Sequence, residues 1–194
     1  MEDKIKTALE RAMERADALG DATPEDLRRL DQVPVGNSIA GRYMRREVSD
    51  LQAEVDRSDA SDRAYVQEGI AGTLVKNVTL PKDPRAKETA LLALEGILAL
   101  KGGAAAVKEV VEQVQHVLTY YEGAQQQAYF NFKQEFETRL PPEALRSMEM
   151  QLGPQWRSQL ERIPQFQDEW RRARTRLDEQ YEQTLQEQKK ALLA

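Results

Sequence analysis

His116 is the sole histidine of this 194-residue chain, and Glu112 and Tyr120 stand four residues to either side of it. On a helix the three share a face, and a carboxylate beside an imidazole is the outline of an acid–base pair. That face lies nearly opposite Val111, Val114 and Leu118, so three solvated side chains are the simpler reading. A di-iron bundle needs two Glu-x-x-His motifs, which one histidine cannot supply. Asp56, Asp59 and Asp62 could suggest a cation site, but they lack the alternating oxygen ligands, central glycine and terminal glutamate of a calcium loop. Helix capping and solubility account for them. With no cysteine in the chain, disulfides, zinc–thiolate sites, iron–sulfur clusters and thiol nucleophiles are all excluded.

Two groups of arginines could hold anions. Gly36-Asn37-Ser38 precedes Arg42, Arg45 and Arg46, and a helix beginning at Asn37 or Ser38 would point free N–H groups and the positive end of its dipole at a phosphate or carboxylate. Ser38, Arg42, Arg45 and Arg46 are therefore the candidate anion site, in a small-ligand binder or an enzyme, although no Walker lysine or dinucleotide fingerprint accompanies them. Arg171, Arg172, Arg174 and Arg176 form the densest basic cluster and could meet nucleic-acid phosphates. Asp168 lies four residues before Arg172 and Asp178 four after Arg174, so paired surface charge explains the cluster without a nucleic acid.

The aromatic residues are more informative. Tyr120, Tyr121, Tyr129, Phe130, Phe132 and Phe136 put half of the twelve aromatic side chains into one stretch. Tyr121, Phe132 and Phe136 fit an apolar stripe. Neighbours on a helix point to different sides, so Tyr120, Tyr129 and Phe130 cannot all join them and are expected to meet another element, a partner chain or a ligand.

These residues need long helices to position them. Val107, Val111, Val114, Leu118, Tyr121, Ala128 and Phe132 recur at alternating steps of four and three, with Gln125 the one polar member. Such periodicity predicts a helix from Gly103 to Leu140, about 55 Å long at ~1.5 Å per residue. It outruns a globule of this size, whose diameter would be roughly 40 Å. Pro141-Pro142 closes it, and Gly102-Gly103 permits a reversal from a preceding helix over 84–100. A second long helix, from Gln165 to the C-terminus, carries Phe166, Trp170, Ala173, Leu177, Tyr181, Leu185 and Leu192 on one side and can pair with the first. Short helices are expected over 143–152 and between Pro154 and Pro164.

Toward the N-terminus, Ile5, Leu9, Ala12, Ala16 and Leu19 predict a helix over 2–19. Thr23-Pro24-Glu25-Asp26 opens a short one that Pro34 and Gly36 interrupt. Met44, Val48, Leu51 and Val55 suggest a single helix onward from Asn37 or Ser38, and residues 58–62 read as a turn and fresh N-cap. Thr73 to Leu80 is rich in β-branched residues and fits either helix or extended chain.

Charged residues are 31% of the chain and hydrophobic residues 40%, with a net charge of -5 and a mean hydropathy of -0.70. The acidic balance disfavours a generally nucleic-acid- or membrane-binding surface. No apolar run reaches bilayer-spanning length, and the charged N-terminus is unlike a secretory signal, so the cytoplasm is the expected compartment.

The expected fold class is all-α: an elongated helical bundle with a long helical hairpin and a long C-terminal helix. Residues 1–80 would form an N-terminal helical region and 81–194 the long-helix bundle, the two folding as one cooperative domain. The expected function is a non-enzymatic interaction or assembly module without a cofactor, acting as a homodimer through Tyr120, Tyr129 and Phe130.

Overall fold

The structure, a computed structural model, describes residues 23–153 and 156–193. The helix expected over 2–19 lies outside them. The fold is all-α, with no strand among the described residues. The chain divides into two compact units, residues 1–73 and 74–194. That boundary falls inside a helix.

In the first unit, α1 spans Pro24–Met44. Thr23 caps it as the sequence predicts: its hydroxyl accepts from the Asp26 amide at 3.1 Å while the Asp26 carboxylate accepts from the Thr23 amide at 3.0 Å. The Thr23 hydroxyl also donates to that carboxylate at 2.7 Å, and this bond first, then the one from the Thr23 amide, holds the Asp26 carboxyl below its ordinary pKa. The expected break at Pro34 and Gly36 does not occur, and α1 continues through both. Proline inside a helix costs roughly 3 kcal/mol, so packing downstream has to offset it. Gly36 provides that packing by meeting Gly69 of α3, which spans Arg63–Asn77. A Cβ on Gly36 would lie 2.1 Å from the Val66 carbonyl oxygen, and one on Gly69 would lie 2.2 Å from that of Val33. The two backbones touch, and only glycine fits at the crossing. On either side of it Tyr65 donates to Glu25 at 3.1 Å, and Thr73 donates to Asn37 at 2.9 Å. Successive contacts advance along both helices together, so α1 and α3 run in the same direction.

The single helix expected through Met44, Val48 and Leu51 is also not formed. α1 ends at Met44, Arg46 takes a left-handed conformation with φ 61°, and α2 restarts at Leu51–Asp56. Asp50 caps α2 by accepting from the Ala53 amide at 2.9 Å, a start signal that the apolar spacing masked. Ile39, Ala40, Val48, Leu51, Val55, Val66, Ile70 and Ala71 are the buried apolar residues here.

In the second unit the last turn of α3 ends at Asn77 and residues 78–81 belong to no helix, so the 73–80 stretch is part helix and part not. Asp83 then caps α4, Pro84–Leu100. Gly102 and Gly103, with φ of 63° and 69°, turn the chain into α5, Ala105–Arg139. The predicted hairpin is thus present, and Lys87 on α4 bonds Glu122 on α5 at 2.6 Å. After Pro141 come α6 (Pro142–Leu152), α7 (Trp156–Gln159), a 3-10 turn (Leu160–Arg162) and α8 (Pro164–Leu193). Lys189 of α8 donates to the Val78 carbonyl at 2.8 Å, tying the C-terminal helix to the segment between α3 and α4. No helix among the described residues is long and apolar enough to cross a membrane.

Replacing Gly36 or Gly69 by alanine forces the two backbones apart. Each substitution is expected to destabilise the chain by about 2–3 kcal/mol, seen as a lower urea midpoint; an unchanged midpoint would show that the crossing is not tight.

Candidate functional site

α5 has an inner and an outer side, and the two do different things. The inner stripe of Val111, Val114, Leu118 and Tyr121 is buried. Its second half pairs with α8, which runs antiparallel: Tyr121 meets Tyr181 with ring centroids 5.5 Å apart, Tyr129 meets Trp170 at 5.0 Å, and Phe132 meets Phe166 at 5.0 Å.

The polar centre of that seam is Tyr121, whose hydroxyl donates to Asp178 at 2.7 Å. Arg174 and Lys82 each stand 3.9 Å from the same carboxylate. Burial, and then the bond to Asp178, push the Tyr121 phenol up to about 12. The Tyr129 phenol is likewise pushed up to about 12, by burial and by its bond to Glu161. Lys133 holds Glu161 at 2.8 Å and, with Tyr129, keeps that carboxyl below its ordinary range. Phenols with raised pKa values stay protonated at neutral pH. They are therefore donors that lock two helices together rather than bases or nucleophiles.

Beyond Tyr129 the seam becomes an aromatic cluster. Phe136, Trp156, Leu160 and Phe166 are buried, with Tyr129, Phe132 and Trp170 packed around them. Most of the ring pairs are edge-to-face, as the ring quadrupole favours. This cluster explains the turn between α6 and α8, since Trp156 and Leu160 fill its floor. The sequence hinted at it only through the aromatic density of the 120–136 stretch.

The residues predicted for an anion site are placed differently from expectation. Because α1 is continuous, Asn37 and Ser38 lie inside a helix rather than at its start, and the free N–H groups that motivated the site are absent. Ser38 is exposed. Arg42 bonds Glu54 at 3.2 Å, Arg57 bonds the same carboxylate, and Arg45 bonds Glu47 at 2.7 Å. Arg46 sits beyond the helix end in its left-handed conformation. Two members of the basic cluster on α8 face carboxylates: Arg171 pairs with Asp168 at 3.4 Å, one position from the expected Arg172 partner, while Arg174 stands 3.9 Å from Asp178 as spaced. His116 is exposed and touches Tyr120 edge-on, centroids 6.4 Å apart, and Glu112 faces Lys108 at 3.9 Å. Asp56 pairs with Arg63 at 3.7 Å. Among the described residues no three His, Asp or Glu side chains converge as a metal group would, and no polar or charged residue is buried.

The three residues singled out for an interface separate. Tyr129 turns inward against Phe166 and Trp170. Tyr120 and Phe130 point outward, 70% and 57% exposed. They share the outer side of α5, ten residues and about 15 Å apart.

A family-level sequence comparison matches residues 52–194 to a family of unknown function, DUF6657. The matched span begins within α2 and includes the whole α5–α8 seam. No curated protein and no solved structure matches the chain.

Raised phenol pKa values give the seam a pH signature. The fold favours the protonated phenols, so their contribution is fully present below about pH 10, the ordinary tyrosine value. It is lost as pH rises toward about 12. Urea midpoints are expected to fall between pH 9.5 and 11.5 by less in Tyr121→Phe than in the natural chain. At neutral pH that variant is expected to lose about 1 kcal/mol, whereas Phe166→Ala is expected to lose about 3–5 kcal/mol. Equal pH profiles for the variant and the natural chain would remove Tyr121 from this role.

Proposed function

The chain belongs to this family of unknown function, and from that premise we propose that it is a non-enzymatic protein–protein interaction or assembly module, acting as a homo-oligomer through the outer side of α5. The observation that carries the reading is the outward placement of Tyr120 and Phe130 on a helix whose inner side is already filled. Large rings left in water on a rigid helix are unfavourable for an isolated chain, and buried aromatic anchors are the residues that most often dominate an interface. The candidate polar groups lend no support to catalysis. Arg42 on α1 and Arg171 and Arg174 on α8 face carboxylates, and Tyr121 and Tyr129 of the seam are held protonated.

Phe130→Asp separates interaction from folding. It is expected to shift sedimentation equilibrium toward the monomer by at least about tenfold in Kd, the effect of roughly 1.4 kcal/mol, while leaving the urea midpoint within ±0.5 kcal/mol as exposed substitutions do. An oligomer that survives this substitution unchanged would rule out the outer side of α5 as the contact.

A further inference from the structure

The outer side of α5 has a second property that neither ring explains. From Gln113 to Gln134 the helix contains just two charged residues, Glu122 and Lys133, in a chain that is 31% charged. Both are half-buried on its flanks and bonded within the chain, to Lys87 and Glu161. Every exposed position over those 22 residues therefore lacks Asp, Glu, Lys and Arg, which leaves a neutral strip about 32 Å long. Exposed charges resume at its ends, with Lys108, Glu109 and Glu112 before it and Glu135 and Arg139 after it.

Within the strip, positions 113, 116, 120, 123, 127, 130 and 134 are all exposed and recur at steps of three and four. That is the 3.5-residue spacing with which one helix packs along another. The middle member is Gly123. It lies in mid-helix, where glycine costs about 1 kcal/mol relative to alanine, and no atom of the described residues would come within 4 Å of a Cβ placed on it. Gly36 and Gly69 are used for a backbone contact inside the chain. Gly123 has no such partner among the described residues.

We propose that a second copy of the chain packs on this strip, the two α5 helices crossing antiparallel about a two-fold axis at Gly123. The inference rests on the interaction reading above and deepens it. A two-fold contact must be self-complementary, and the strip is: three members lie on each side of Gly123. An antiparallel crossing sets Phe130 opposite His116, Tyr120 opposite Gln127 and Gln113 opposite Gln134. Each ring then meets a different side chain instead of its own copy, which a parallel crossing would force around a close approach at glycine. The two glutamines can exchange amide hydrogen bonds. Charge selects a second copy in particular. Identical chains of net charge -5 repel one another, and this is a face on which they can meet without like charges in contact. A strip one helix wide buries less than about 1,200 Å² in total, the range of weak and transient association.

The absence of cysteine makes single introduced thiols unambiguous reporters. The full chain is prepared as Gly123→Cys, Gln113→Cys and Gln134→Cys, with Glu88→Cys on the exposed side of α4 as a collision control, and each is mildly oxidised across a concentration series. Gly123→Cys is expected to form disulfide-linked dimer at least about tenfold more than the control, as contact concentrations near millimolar imply. Gln113→Cys and Gln134→Cys should not link when alone, because a disulfide requires Cα atoms within about 7 Å, but should link to each other when mixed. Linking of each of those two with itself would mean a parallel pair and overturn the antiparallel arrangement. A dimer by light scattering with no linkage at any of the three positions would place the contact elsewhere, overturning this inference and sparing the homo-oligomer reading. A monomer with no linkage would overturn both.

Discussion

The structure depends on a limit of helix geometry: a 35-residue helix has two sides, and the described residues cover one of them. α5 commits its inner stripe to α4 at one end and to α8 along the rest. The bond from Tyr121 to Asp178 sets the register of that pairing, because sliding either helix by one turn would leave the Tyr121 hydroxyl and the carboxylate without each other. The aromatic cluster around Phe166 then fixes the far end, and the α6–α7 turn is shaped to floor it. What remains is an outer side with two exposed rings, one unfilled glycine and no charge between Gln113 and Gln134.

The same residue types serve opposite purposes depending on what lies across from them. Gly36 and Gly69 stop a Cβ from striking a carbonyl and so let α1 and α3 touch. Gly123 stops nothing among the described residues. Tyr129 and Phe130 are adjacent in sequence, yet the 100° step of the helix sends one into the Phe166–Trp170 cluster and the other into solvent.

Much of the second unit was legible in the sequence, because its signals were strong and agreed with one another. Long apolar stripes, paired glycines at 102 and 103, and prolines at 84, 141, 142 and 164 all mark the observed boundaries. The first unit was less so. Pro34 and Gly36 are local helix breakers, and reading them as a break ignored that a distant glycine, Gly69, could offer a contact worth more than the proline costs. In the opposite direction, the spacing of Met44, Val48 and Leu51 imitated a helix across a turn whose marker, Asp50 as a cap, was present but weaker than the apolar pattern. The candidate anion site lost its structural premise for the same reason, since the helix start at Asn37 or Ser38 was removed by tertiary packing. Of the aromatic residues, the sequence could say that some had to face outward. Assigning which ones required knowing where α8 lies.

The central claim is that the outer side of α5 exists for a second copy of the chain. Absolute mass by light scattering on a sizing column, followed as the loading concentration is raised, addresses it most directly. The account predicts a mass that climbs from the 22.1 kDa of one chain toward twice that value, reversibly on dilution. A mass that stays at that of one chain at every concentration would contradict it.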